Sequence, residues 1–142
     1  MSTIRLEVVS PYKQIYDKDI AMLIVRSTGG ELGILPKHAP IATGLIPHAM
    51  RIKMDGNEEH LMAVAGGFME VTPEKITLLV PAAEEPEQID VNRAQAAYAR
   101  AKQRVETFKQ APAQHPEIDI DRAEAALARA KARLIATNTN FQ

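Results

Sequence analysis

Arginine is the residue type with the most chemistry to offer in this chain of 142 residues. Arg122, Arg129 and Arg133 recur at helical spacing and fall within a narrow arc, and Arg93, Arg100 and Arg104 repeat that arc earlier in the chain. Guanidinium forks match the oxygens of phosphates and carboxylates. Local relief is scarce, since Glu124 is the only acid after Arg122. The stripe is therefore either a solvated helix face or a dock for an anionic partner. Catalytic groups are missing by contrast. Cys is absent, which removes thiolate nucleophiles, thiolate metal sites and disulfides. His38, His48, His60 and His115 lack helical metal-ligand spacing, and neither a Walker-type loop nor His-Glu-x-x-His occurs. Glu58, Glu59 and His60 read most simply as a solvated loop beside a turn. No covalent chemistry is expected.

An internal repeat defines the helices that carry these arginines. Residues 89–105 recur as 118–134, with 11 of 17 positions identical. Both copies are rich in Ala, Arg and Lys, and Asp90 and Asp119 stand where N-caps belong. Ala111-Pro112-Ala113 and His115-Pro116 break the pattern between them, so the two helices form an antiparallel hairpin. Ala94, Tyr98, Ala101 and Val105 share one face, matched by Ala123, Leu127, Ala130 and Leu134. A buried methylene contributes roughly 0.8 kcal/mol, so an alanine seam is weak. The hairpin is expected to be marginal by itself.

The preceding residues read as strands. Ile4, Leu6 and Val8 alternate with Arg5, Glu7 and Val9, and Ile20 to Val25 is nearly continuous apolar sequence, as for a strand covered on both faces. Ile52 and Met54 lead into the turn signal Asp55-Gly56; Leu61–Ala65, Phe68–Val71 and Lys75–Val80 follow. Many short strands separated by Gly and Pro predict a small β-sandwich or barrel. Two glycine segments, 29–40 and 64–71, read as turn chemistry within it. The acidic run Glu84-Glu85-Pro86-Glu87 is the expected boundary, giving regions 1–86 and 87–142. Charge divides at the same place: residues 1–87 carry 8 basic and 12 acidic side chains, residues 88–142 carry 9 and 6. The net charge of -1 argues against bulk nucleic-acid binding, and no apolar run reaches membrane-spanning length or forms a signal-peptide core at the start.

In order along the chain, Gly30-Glu31-Leu32-Gly33-Ile34-Leu35-Pro36-Lys37-His38-Ala39-Pro40, Gly66-Gly67-Phe68-Met69-Glu70-Val71 and the Ala-Arg hairpin closely resemble the epsilon subunit of bacterial F-type ATP synthase. The resemblance covers essentially the whole chain. It implies a β-plus-α fold, with an N-terminal β-sandwich of about ten strands and a C-terminal antiparallel two-helix hairpin. It also implies a non-catalytic subunit of the rotor stalk, peripheral on the cytoplasmic face of the bacterial membrane and held there only through the complex. Gamma and the c-ring would be its partners, with the loop of Glu31 near the ring.

The resemblance further implies that the hairpin can extend towards the alpha and beta subunits and block ATP hydrolysis, with Arg122, Arg129 and Arg133 facing acidic sequence on beta. Some members bind ATP when the hairpin is folded, through a motif present here as Ile89-Asp90-Val91-Asn92-Arg93-Ala94. Glu84 matches a position associated with adenine, and Arg129 and Arg133 match arginines near the phosphates. No cofactor is required; ATP would be a regulatory ligand. The bland alternative for Asp90 and Arg93 is an N-cap and a surface residue. The Lys109–Glu117 connection, with two prolines, is long for the family's nucleotide-binding members, which bears on helix register. Two rival readings stand beside the rotor subunit: a hairpin whose main role is sensing ATP, and an adaptor whose basic helix docks on an acidic protein or RNA.

Overall fold

The computed structural model describes residues 2–140, so Met1, Phe141 and Gln142, which the expected regions include, lie outside the described residues. Eight strands occur among the described residues: β1 (Ile4–Val9), β2 (Gln14–Ile20), β3 (Met22–Ser27), β4 (Gly30–Ile34), β5 (Ile41–Lys53), β6 (Glu59–Val71), β7 (Lys75–Leu79) and β8 (Ala83–Glu84). A 3-10 turn at Pro86–Gln88 leads into α1 (Val91–Gln110), and another at Pro112–Gln114 leads towards α2 (Ile120–Ala136). The strands run in the order β2-β1-β7-β6-β5-β3-β4, with β8 also on β6. Among the described residues, only β1 and β7 pair in parallel.

This single hydrogen-bonded network closes into a sandwich because its two longest strands bend. β7 borders only Phe68–Val71 of β6, and β8 borders only Ala63 and Val64. Between those stretches lie Gly66 and Gly67, at φ 93° and 124°. A methyl group on Gly67 would overlap the carbonyl oxygen of Leu79, so the end of β7 can close on β6 only across a glycine. The enclosed core holds Leu6, Ile20, Leu23, Ile52, Ile76 and Leu78, each at most 1% exposed.

Several sequence expectations are corrected here. Eight strands replace about ten, because Gly66-Gly67 bends a strand without ending it: Leu61–Ala65 and Phe68–Val71 are halves of β6. The run from Ile20 to Val25 is not one strand. Ala21 separates β2 from β3, and in β3 only Leu23, Val25 and Ser27 are buried, as for a strand covered on one face. Most of β5 escaped sequence reading because Gly44 and Pro47 interrupt it; Pro47 is tolerated at the bend, where β5 departs from its regular ladder. The glycine-rich segment at 30–34 is strand β4, and Glu59 and His60 open β6 rather than lying in a loop.

The helices pack largely as their pattern requires, with one addition and with Leu127 only partly buried. Asp90 caps α1 by accepting from the Arg93 amide, and Asp119 caps α2 by accepting from Arg122. Ala94, Tyr98, Ala101 and Val105 are the buried residues of α1. On α2, Ala123, Ala130 and Leu134 are buried on the seam, and Ala132 and Ala136 are buried on a second face. That second face meets the sheet: Ala132, Leu134 and Ala136 form one cluster with Ala63, Ile89, Ala94 and Tyr98, flanked by Ala49 and Leu61. Helix α2 thus lies between α1 and strands β5 and β6. None of the described helices is long and apolar enough to cross a membrane.

Candidate functional site

The two arginine stripes meet because the helices are nearly identical in pattern and antiparallel. Each stripe lies one position before its seam, on the same rotational side. Turning one helix about an axis perpendicular to both brings the stripes onto one face of the hairpin. There Arg100 and Arg104 of α1 and Arg122 and Arg129 of α2 line a groove of about 1070 Å³. None of the four has an ion-pair partner among the described residues. The nearest acids on its rim are Glu117 and Asp119, and the Asp119 carboxylate is engaged in capping α2. An open groove with four guanidiniums can hold a polyanion such as an oligophosphate or a run of carboxylates.

Arg133 is handled differently. Its Nε donates to Glu84 Oε1 at 2.6 Å, joining α2 to β8, with both side chains 32% exposed. The surrounding cleft, which Arg129 also lines, has about 10 Å³ of space, the lower limit for one water. A phosphate could reach Arg133 here only after the cleft opened. Arg129 borders both the cleft and the groove.

The residues expected around ATP therefore fall into three places. Glu84 and Arg133 bind each other, with Arg129 adjacent. Ile89 and Ala94 are buried in the cluster between the helices and the sheet. Asp90 caps α1, while the Arg93 side chain is exposed. Of the arginines expected to contact beta, Arg122 is exposed, Arg129 half-buried and Arg133 paired. The C-terminal end of α2 faces the sheet and its N-terminal end does not, which splits the stripe along its length. Glu31 lies in edge strand β4 rather than in a loop, with its carboxylate 3.7 Å from Arg26. Arg100 and Arg104, to which the resemblance assigns no role, are legible through the repeat, which makes Arg100 the counterpart of Arg129 and Arg104 that of Arg133.

A second surface lies on the sandwich. In β1, β7 and β6 the inward row Val8–Leu78–Met69 is buried, so the next row must face outward. That row is Val9–Leu79–Phe68, and it is apolar: Leu79 is 57% exposed and Phe68 66%. Tyr12, in the turn after β1, is 93% exposed.

The pattern of the ATP synthase delta/epsilon chain β-sandwich domain matches residues 3–86, and that of the long α-helix domain of the same chain matches residues 87–138. The chain belongs to the ATP synthase delta/epsilon family. Among relatives, the ATP synthase epsilon chain of Alkalihalophilus pseudofirmus is 52% identical over 110 residues, covering 78% of this chain and 82% of that one. The epsilon chain of Bacillus subtilis strain 168 is 46% identical over 107 residues, covering 75% and 80%. Among solved structures, a chain of the Euglena gracilis mitochondrial ATP synthase covers 96% of this chain and 81% of its own, at a TM-score of 0.76 and 22% identity. That likeness establishes the shared fold. The sequence relatives are epsilon chains of the ATP synthase.

Proposed function

We propose that this family member works in the rotor stalk, coupling ion translocation to ATP synthesis, and that its hairpin restrains ATP hydrolysis. The observation that carries the reading is a division of labour between two surfaces. The sandwich exposes an apolar row, Val9–Leu79–Phe68, suited to a permanent protein interface. The hairpin is seated by alanines and exposes unpaired arginines, suited to a reversible electrostatic one. Gamma and the c-ring are the partners of the first surface; the Euglena neighbour comes from an assembly that includes a c-ring. The alpha and beta subunits are the partners of the second, when the hairpin extends. The subunit is peripheral, held at the cytoplasmic face of the membrane by the complex alone.

Reconstitution with the catalytic subunits and gamma tests this. Exposed ion pairs are each worth about 0.2–1 kcal/mol, so single substitutions do little. Replacing Arg122, Arg129 and Arg133 together by Ala is expected to raise ATP hydrolysis while leaving assembly intact, and high salt to mimic it in part. Unchanged hydrolysis at low salt, with assembly confirmed, would remove the hairpin from regulation. Failure to co-purify with gamma would remove the rotor role.

A specific observation favours ATP as a regulatory ligand of the folded hairpin: the four-arginine groove is large enough for a nucleotide, and its four guanidiniums outnumber the two acids, Glu117 and Asp119, that line it. Binding there would add to a weak seam and hold the hairpin down. Calorimetric titration of the isolated protein with ATP tests it, and no binding heat at millimolar ATP would dismiss it.

A further inference from the structure

Where β3 and β5 run side by side, their ladder has a gap. Ile24 pairs with Arg51 and Ser27 with Leu45, so two residues of β3 face five of β5. The excess forms the bulge that carries Pro47 and His48. Across this gap the Arg26 amide has no β5 carbonyl in register. It donates instead to His48 Nε2, at 2.9 Å. The other ring nitrogen, Nδ1, lies 2.7 Å from the carbonyl oxygen of Ile46.

These contacts admit one protonation state. A backbone amide can only donate, so Nε2 must present a lone pair; a carbonyl can only accept, so Nδ1 must carry the proton. We infer that His48 is a proton-sensitive pin, whose neutral Nδ1–H tautomer closes the β3–β5 ladder and whose protonation releases the Arg26 amide. The imidazolium would set a second donor against that amide, leaving both unsatisfied.

The surroundings favour the neutral ring. Burial is the largest influence and lowers its pKa; the Ile46 carbonyl opposes this, Arg26 on β3 assists it, and Glu31 on β4 opposes it. From β6 the paired neighbour is the apolar Val64. The next residue of the bulge, Ala49, packs against the cluster that seats α2, so the pin lies one residue from the surface supporting the hairpin.

The sign of the pH dependence follows. A depressed native pKa means the unfolded chain binds the proton more readily. The contribution is complete above the ordinary histidine value, near 6.5, and is lost as pH falls from there through the native value.

Side-chain nitrogen NMR of the full chain tests the tautomer directly. At pH 7.5 the expected pattern is protonated Nδ1 and bare Nε2, the reverse of the form that free imidazole side chains favour. Hydrogen exchange supplies the second readout. Protection of the Arg26 amide should fall about two- to tenfold, relative to its intrinsic rate, as His48 titrates. His48→Gln retains an acceptor that does not titrate near neutrality, and should keep Arg26 protected down to pH 5. His48→Leu should leave it unprotected at every pH. A protonated Nε2 at pH 7.5, or wild-type protection that persists through the His48 titration, would overturn the assignment. So would loss of protection in His48→Gln at the same pH as wild type.

Discussion

The sandwich and the hairpin are held together by different kinds of burial. In the sandwich, Leu6, Leu23, Ile34, Met50, Met62 and Leu78 are at most 1% exposed and interlock across two layers. In the cluster between hairpin and sheet, three of the four buried α2 residues are alanines, and Leu134 is the one large aliphatic side chain fully buried there. Tyr98, with Lys102 Nζ 5.9 Å from its ring centroid, supplies most of the remaining bulk on α1. Transfer free energy scales with apolar area removed from water, so the sandwich has a deep well and the hairpin a shallow one. A shallow well suits a regulatory element, because a partner or ligand of ordinary affinity can shift it.

Removing the hairpin entirely is the severest way to break this contrast. A fragment of residues 1–86 should keep the far-UV circular dichroism of a β protein and unfold cooperatively, because the core lies wholly within it. An unstructured fragment would show that the helices support the sandwich as well. Single deletions of bulk sharpen the comparison. Leu78→Ala should cost about 2–5 kcal/mol and lower the melting temperature of strands and helices together. Leu134→Ala should act mainly on the hairpin, raising amide exchange in α1 and α2 while exchange in β1 and β7 stays slow. Equal loss of protection in both regions would erase the distinction.

The nucleotide reading predicts smaller changes. Arg100→Ala, in the groove, should weaken ATP binding on the order of tenfold to a hundredfold, as for loss of a charge-assisted contact, and Arg93→Ala, outside it, should weaken binding less. Asp90 needs two substitutions, since its carboxylate caps α1. Asp90→Ala also loses a cap worth about 0.5–2 kcal/mol, whereas Asp90→Asn keeps the cap and removes the charge. Calorimetry in which Asp90→Asn binds ATP like wild type, while Asp90→Ala does not, would confine Asp90 to capping. The smallest effect is expected at Glu84. Its half-exposed pair with Arg133 is worth about 0–1 kcal/mol, so Glu84→Gln should speed amide exchange at the end of α2 only slightly. Exchange that rises as much as in Leu134→Ala would make this ion pair the main lock.

The sequence by itself determined whatever depends on neighbours along the chain. The repeat, the seam positions and the two aspartate caps follow from a period of 3.6 and from short side chains reaching their own helix ends. The alternation in β1 and the turn at Asp55-Gly56 are equally local, and that turn does join β5 to β6. Matching Arg stripes were also legible, but only the antiparallel packing brought Arg100, Arg104, Arg122 and Arg129 to one groove. Tertiary structure alone decided that α2 would lie on the sheet, which buries Ala132 and Ala136, turns Arg133 to Glu84 and leaves Arg122 outside. It likewise decided that Gly66-Gly67 would bend a strand rather than end one, and that His48 would stand in for a missing ladder acceptor. In each of these cases the partner is remote in sequence, on an element whose position depends on how two layers close over a shared core. Residue type restricts what such a partner can be; only the closed fold selects which one is within reach.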